Sequence, residues 1–165
     1  MSNINALIIG LGSAGTRHAR NLKSLGVKNI FSISNKKRRK KFNLSFINYY
    51  KNLNLILKKK EIHIAIISNP SSKHLSIAKI LSKKKIDLFI EKPLSHNLNQ
   101  LKQFKKIVKL KKIKVAIGCQ LRFHLGLLEV KKILDKKKLG RPRHNRFFFD
   151  IFLKVSLIYF PFPSN

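Results

Sequence analysis

The chain has few acids, few sulfurs and no long apolar run. Only 6 of its 165 residues are Asp or Glu, and none of these lies between Met1 and Lys60. Cysteine occurs once, at Cys119, so an internal disulfide is excluded. A lone thiol fits a reduced cytoplasm, and nothing at metal-ligand spacing surrounds it. We therefore expect no metal site and a cytoplasmic protein. No stretch is long and apolar enough to span a bilayer. The N-terminus has no basic segment ahead of an apolar one, and Ala6–Gly10 is too short for a signal peptide. Seven glycines and five prolines leave little punctuation, so where they cluster they mark turns.

What is abundant is positive charge. Lys and Arg number 37, for a formal net charge of +31. Such a balance suits an anionic partner, nucleic acid or an acidic membrane surface. It also follows from an AT-rich genome, since Lys, Asn, Ile and Phe are all frequent. The lysines are spread over expected helix surfaces rather than gathered on one, which favours composition over a dedicated nucleic-acid face. Nonspecific attraction of polyanions at low salt is expected either way. Hydrophobic residues make up 44% of the chain, ample for the core of one domain.

The pattern that organises this core begins at Ala6–Ile9, a short apolar run that reads as a buried parallel strand. It leads into Gly10, Gly12 and Gly15, spaced G-x-G-x-x-G. A helical pattern follows, with Ala14, His18, Leu22 and Leu25 on one face, and stops at Gly26. Strand, glycine turn and helix together are the context in which this spacing binds dinucleotides. Gly10 permits the tight turn, Gly12 a close approach of a pyrophosphate, and Gly15 close helix–strand packing. The backbone at Ser13 and Ala14 opens the helix toward the phosphates. A glycine turn serving structure alone is the competing reading.

A second strand is expected at Asn29–Ser34. In dinucleotide folds the end of this strand meets the adenosine ribose, where an acid selects NAD and a base accommodates the 2′-phosphate of NADP. No acid is present. Ser34, Asn35 and Arg38 are candidates to hold a 2′-phosphate, so NADP is slightly favoured over NAD. A merely solvated basic turn is the alternative. Further strands are expected at Phe46–Ile47, Ile62–Ser68, Asp87–Ile90 and Lys114–Gly118. Helices are expected at Leu53–Lys60, over Leu75, Ala78 and Leu81 behind a Ser or Asn cap, and over Leu98, Leu101, Phe104 and Val108. This alternation predicts an α/β fold, a doubly wound parallel sheet. Right-handed crossovers put the glycine turn, Asn69-Pro70 and Glu91-Lys92-Pro93 at the carboxyl edge, where such sheets bind ligands.

Taken together, Gly10-Leu11-Gly12-Ser13-Ala14-Gly15 with Arg17-His18, Ser68-Asn69-Pro70 with His74, Glu91-Lys92-Pro93-Leu94, and Gly118-Cys119-Gln120-Leu121-Arg122-Phe123-His124 resemble the Gfo/Idh/MocA family of NAD(P)-dependent oxidoreductases. The resemblance runs from Asn5 to about Arg146. It implies a Rossmann domain over residues 1–118, then a linker helix and the start of a second α/β domain over residues 119–165. It implies that Lys92 stands beside the nicotinamide ring and the substrate hydroxyl as the catalytic residue, stabilising charge on oxygen. It implies that Pro93 follows a cis peptide bond and fixes the angle of Lys92, and that Glu91, Asn69 and Pro70 line the cofactor pocket. His74 is either a cofactor contact or a packed helix residue. Arg122 is either a contact on the nicotinamide side or a surface arginine. His18, on the apolar helix face, reads as packing.

The resemblance weakens toward the end. A helix is expected over Leu127–Lys136 and a strand over Arg146–Asp150. The aromatic-rich segment beyond carries no alternation, and the acid–base pair of the family's second domain has no counterpart, since His144 and Asp150 come too early. A truncated or frameshifted product is expected, binding NADP or NAD with little turnover. Its small-molecule substrate would be met only by a full-length relative. A non-catalytic nucleotide-binding module is the alternative, and a nucleic-acid-binding protein a more distant one.

Overall fold

The computed structural model describes residues 3–33, 44–96, 98–119 and 124–136. The expectations for Ser34, Asn35, Arg38, Arg122, the strand at Arg146–Asp150 and the tail lie outside these residues. The chain divides into two compact units, Met1–Gly118 and Cys119–Asn165. The first contains six parallel strands: β1 (Asn5–Ile9), β2 (Asn29–Ile33), β3 (Ile47–Tyr50), β4 (Ile64–Ile67), β5 (Asp87–Ile90) and β6 (Val115–Ile117). Between them run α1 (Ser13–Ser24), α2 (Leu53–Lys59), α3 (His74–Lys83) and α4 (Leu101–Lys111). In the second unit the described helix is α5 (Leu125–Asp135).

The sheet order is β3-β2-β1-β4-β5-β6. The chain winds one way from β1 to β3, then returns to the other side of β1 for β4. That reversal places a crevice between β1 and β4, the switch point of a Rossmann fold. The central strands β1 and β4 are near-continuous apolar runs, buried along almost their whole length. Ala6, Leu7 and Ile8 of β1 and Ala65 and Ile67 of β4 are fully buried. Ile8, Ile30 and Ile66 form one core cluster with Ala19 of α1, Leu11, Leu44 and Ile47. Phe104 of α4 is among the largest fully buried side chains, and α4 packs on α3, which packs on β4 and β5.

The strand ends matter most for the site. Ile9, Ile67, Ile90 and Ile117 stand in register across β1, β4, β5 and β6. The next residue of each strand is a loop residue: Gly10, Ser68, Glu91 and Gly118. The ladder extends by one more bond to three of them. Ser68 N–H donates to Ile9 O, Glu91 N–H to Ile67 O, and Gly118 N–H to Ile90 O, each at 2.8 Å. Four loops therefore leave the sheet from one line.

Several boundaries shift from those the pattern suggested. Leu25 lies past the last turn of α1 and is 75% exposed. There Gly26 takes φ +81°, and Val27 N–H bonds Leu22 O, closing the helix. Leu98 falls outside α4 and is 84% exposed, because Gln100 adopts a left-handed φ of +65° that α-helix cannot continue through. The expected Ser or Asn cap on α3 makes no side-chain bond. A single 3₁₀ turn, Ser71–Lys73, feeds the helix instead, and its i→i+3 bonds from Lys73 N–H and His74 N–H occupy the first donors.

Candidate functional site

The glycine turn is built as its spacing suggests. Gly10 has φ +96°, and a Cβ there would stand 2.6 Å from Asn69 N, so the turn rests directly on the β4 loop. A Cβ on Gly15 would collide with Gly10 O and come within 2.7 Å of Ser68 Oγ. Helix and strand thus meet backbone to backbone. Ser68 Oγ donates to Gly10 O at 2.7 Å and fixes the turn from the β4 side. Gly12 differs from both. A Cβ there meets nothing within 4 Å, and its backbone (φ −81°, ψ −163°) is ordinary extended chain. It faces open space at the start of α1.

The first intrahelical bond of α1 runs from Thr16 N–H to Gly12 O, 2.9 Å. Gly12 supplies no side-chain cap, and no acid sits in the first turn. The N–H groups of Ser13, Ala14 and Gly15 precede that bond, at the positive end of the helix dipole. This donor set suits an anion. Asn69 Oδ1 is buried and finds no hydrogen-bond partner among the described residues, leaving an acceptor beside the turn. Donors for a diphosphate and an acceptor for a hydroxyl are what a dinucleotide requires.

Glu91 and Lys92 occupy the third loop, and the Lys92–Pro93 peptide is cis. The Glu91 carboxylate is largely covered, with 14% of its side chain exposed. His18 lies 2.7 Å from it, Nε2 to Oε1. The His18 ring meets Phe89 edge-on, with centroids 5.0 Å apart. His18 is therefore more than a packing residue of α1. The helical periodicity placed it on the inner face, but the carboxylate it finds there is 73 residues away in sequence. Arg17 Nη2 reaches the same oxygen only at 4.0 Å and is 60% exposed, so it adds little. The side chain of Lys92 is exposed.

His74 is 2% exposed and faces two backbone carbonyls. Its Nδ1 is 2.8 Å from Pro93 O and its Nε2 2.6 Å from Asn69 O. One ring nitrogen faces each carbonyl, so within the described residues the imidazole sits between the Asn69 and Pro93 loops. The structure brings together Gly10, Gly15, Ser68, Asn69, Glu91, Pro93, His18 and His74. Of these, His18 and Ser68 are missing from the glycine and Glu-Lys-Pro motif residues singled out as the cofactor site. The signal for His18 was Glu91 itself, a rare acid directly after a buried strand, which needs a partner on a neighbouring element.

A shallow groove of about 460 Å³ opens along α1, lined by Ser13, Thr16, Arg17, Arg20 and Asn21. It shares Ser13 with the cradle but none of the Asn69 or Glu91 loop residues, so the crevice where three loops touch is the better site. No group of His, Cys, Asp and Glu among the described residues could hold a metal. None of their helices is long and apolar enough to cross a membrane.

Comparison with known proteins agrees with this fold. Residues 4–119 match the Gfo/Idh/MocA model, an oxidoreductase family with an NAD-binding Rossmann fold. The myo-inositol 2-dehydrogenase of Thermotoga maritima is 26% identical over 139 residues, which are 82% of this chain and 42% of that protein. The myo-inositol 2-dehydrogenase of Lactobacillus plantarum superposes with a TM-score of 0.73 at 24% identity, over 85% of this chain and 43% of that one. The scyllo-inositol dehydrogenase of Lactobacillus casei, solved with bound cofactor NAD(H) and scyllo-inositol, gives 0.75 at 20% identity, over 84% and 43%. The chain thus spans a little under half the length of these relatives.

Proposed function

Since the chain belongs to the Gfo/Idh/MocA oxidoreductase family and carries its NAD-binding Rossmann fold, we propose that it holds a nicotinamide dinucleotide along the crevice from Gly10 to Glu91, in the service of a dehydrogenase acting on a sugar- or cyclitol-like substrate. The observation that carries this reading is the way the three loops are joined, Gly10 resting on Asn69 and His74 lying between Asn69 O and Pro93 O.

Each residue type has a part. Gly10, Gly12, Ser13, Ala14 and Gly15 give the pyrophosphate its cradle, through open space at Gly12 and the unpaired N–H groups of the first turn. Asn69 and Pro70 line the middle. Glu91, Lys92 and Pro93 serve the nicotinamide end. The dinucleotide, when bound, supplies the hydride donor or acceptor. Lys92 is the residue we assign to catalysis. Its Nζ donates a hydrogen bond to the reacting substrate oxygen and stabilises the charge that develops there as the hydride moves. Ser34, Asn35 and Arg38, with no acid nearby in sequence, tilt the preference toward NADP. Residues 1–118 form the cofactor domain in this reading, and 119–165 lead toward a substrate domain. The inositol dehydrogenases among the relatives support a polyol as the substrate class.

Calorimetric titration of the chain with NADPH and with NADH tests this. Binding of both is expected, with NADPH the tighter. Absence of binding to either overturns the cofactor reading, while tighter NADH overturns only the NADP preference.

A further inference from the structure

Lys92 is exposed, yet the residues on either side of it are held. Glu91 is tied to α1 by His18, whose Nε2 lies 2.7 Å from Oε1. Phe89 steadies that imidazole from the side. Gly118 closes the other flank of the carboxylate, since a Cβ there would stand 3.1 Å from Oε2. Pro93 is tied to α3 by His74, through its carbonyl at 2.8 Å. The same ring reaches Asn69 O. These two helices are the ones that begin at the other two loops, α1 from the glycine turn and α3 from Asn69-Pro70.

We propose that His18 and His74 are positioning residues for Lys92. His18 acts through the carboxylate of the preceding residue and His74 through the carbonyl of the following one. The inference rests on the cofactor reading above and deepens it. The position of the lysine becomes slaved to the phosphate cradle, because α1 carries both the cradle donors and His18. A histidine serving stability alone would have no reason to converge with another on the two neighbours of one exposed lysine. With its backbone pinned at both ends, Lys92 keeps its side-chain freedom while its Cα stays in register with the site.

The test compares two ligands on the full chain. NADH reports the whole site. ADP-ribose lacks the nicotinamide ring and reports the cradle. The ratio of their dissociation constants isolates the Lys92 end, and Lys92→Ala sets the floor of that ratio. His18→Ala is expected to lower the preference for NADH to that floor, a loss of about tenfold for a charge-assisted bond. Its ADP-ribose affinity should stay within about twofold. His18→Gln should restore the ratio, because its amide nitrogen donates to Glu91. At His74, Asn places a donor where Nδ1 was and keeps the Pro93 tie, whereas Gln places one where Nε2 was and keeps only the Asn69 tie. Both variants leave a similar void, so both lose stability, but only His74→Gln should drop to the floor. The positioning role is overturned if His18→Ala leaves the ratio unchanged while Lys92→Ala lowers it. It is also overturned if NADH and ADP-ribose affinities fall together, or if the two His74 variants lose the ratio alike. A wild-type chain that binds neither of these ligands nor NADPH overturns the cofactor reading, and the inference with it.

Discussion

Alanine at Gly12 and alanine at Gly15 should separate binding from stability. The added group is the same methyl, three residues apart on one turn. At Gly15 it meets backbone: Gly10 O inside contact distance and Gly10 C at 2.9 Å, with Ser68 Oγ at 2.7 Å. Ser68 can rotate, but Gly10 cannot, so α1 must move off β1. Overpacking of this kind costs about 1–3 kcal/mol, and a backbone neighbour puts it near the upper end. Better helix propensity returns about 1 kcal/mol. The net of about 2 kcal/mol corresponds to a melting temperature lower by about 4–8 °C. At Gly12 nothing lies within 4 Å, and the backbone dihedrals suit any residue. Weaker capping by alanine costs about 0.5–1 kcal/mol. Reduced freedom of the unfolded chain returns about the same, so the melting temperature should stay within about 2 °C. The Gly12 methyl instead occupies the space assigned to the pyrophosphate. Loss of one or two charge-assisted bonds there should weaken NADH by about 10- to 100-fold. Thermal melts by circular dichroism and NADH calorimetry on both variants read the two effects. If Gly12→Ala binds NADH like the wild type, the pyrophosphate does not lie on this turn. Unchanged melting of Gly15→Ala would refute the packing argument.

Other perturbations follow from the same geometry. Lys112 ends α4 at φ +52°, so Lys112→Gly should stabilise the fold by about 1 kcal/mol, seen as a higher urea midpoint with unchanged slope. Phe104 is 2% exposed, and Phe104→Ala should cost about 3–5 kcal/mol, read as a lower urea midpoint. Asn52 caps α2 by accepting from Leu55 N–H at 2.9 Å, so Asn52→Ala should lose about 1 kcal/mol in the same melts. The net charge of +31 predicts RNA binding that is independent of sequence and falls steeply with salt, checked by a polarisation titration across a salt series.

Much of the frame was legible from local pattern. Apolar runs ending in Gly10, Asn69 and Glu91 gave the strands, and right-handed crossovers then required those three loops to share an edge. Local pattern was less able to end helices. Leu25 and Leu98 continued a periodic face, and only the backbone at Gly26 and Gln100 removed them from it. It was blind to pairs far apart in the chain. That His18 would find Glu91 depends on how α1 lies against β1 and β4, beside the loop that follows β5, which no window of sequence contains. That His74 would lie between two carbonyls depends on where two loops stop. Histidine on an inner helix face reads as packing until the elements beside it are known.

The isoleucine row at the strand ends makes the carboxyl edge a ruler. Neighbouring strands are about 4.8 Å apart, so Gly10, Ser68, Glu91 and Gly118 are graduations set by the hydrogen-bond ladder rather than by side-chain packing. The four marks extend over about 14 Å. A molecule laid across them is measured before it is recognised. One that covers a single interval can touch the glycine turn or the Glu91 loop but not both, whatever its chemistry. The spacing of the marks is thereby fixed in the sheet itself, and changes of loop sequence can alter the chemistry at each mark without moving the marks.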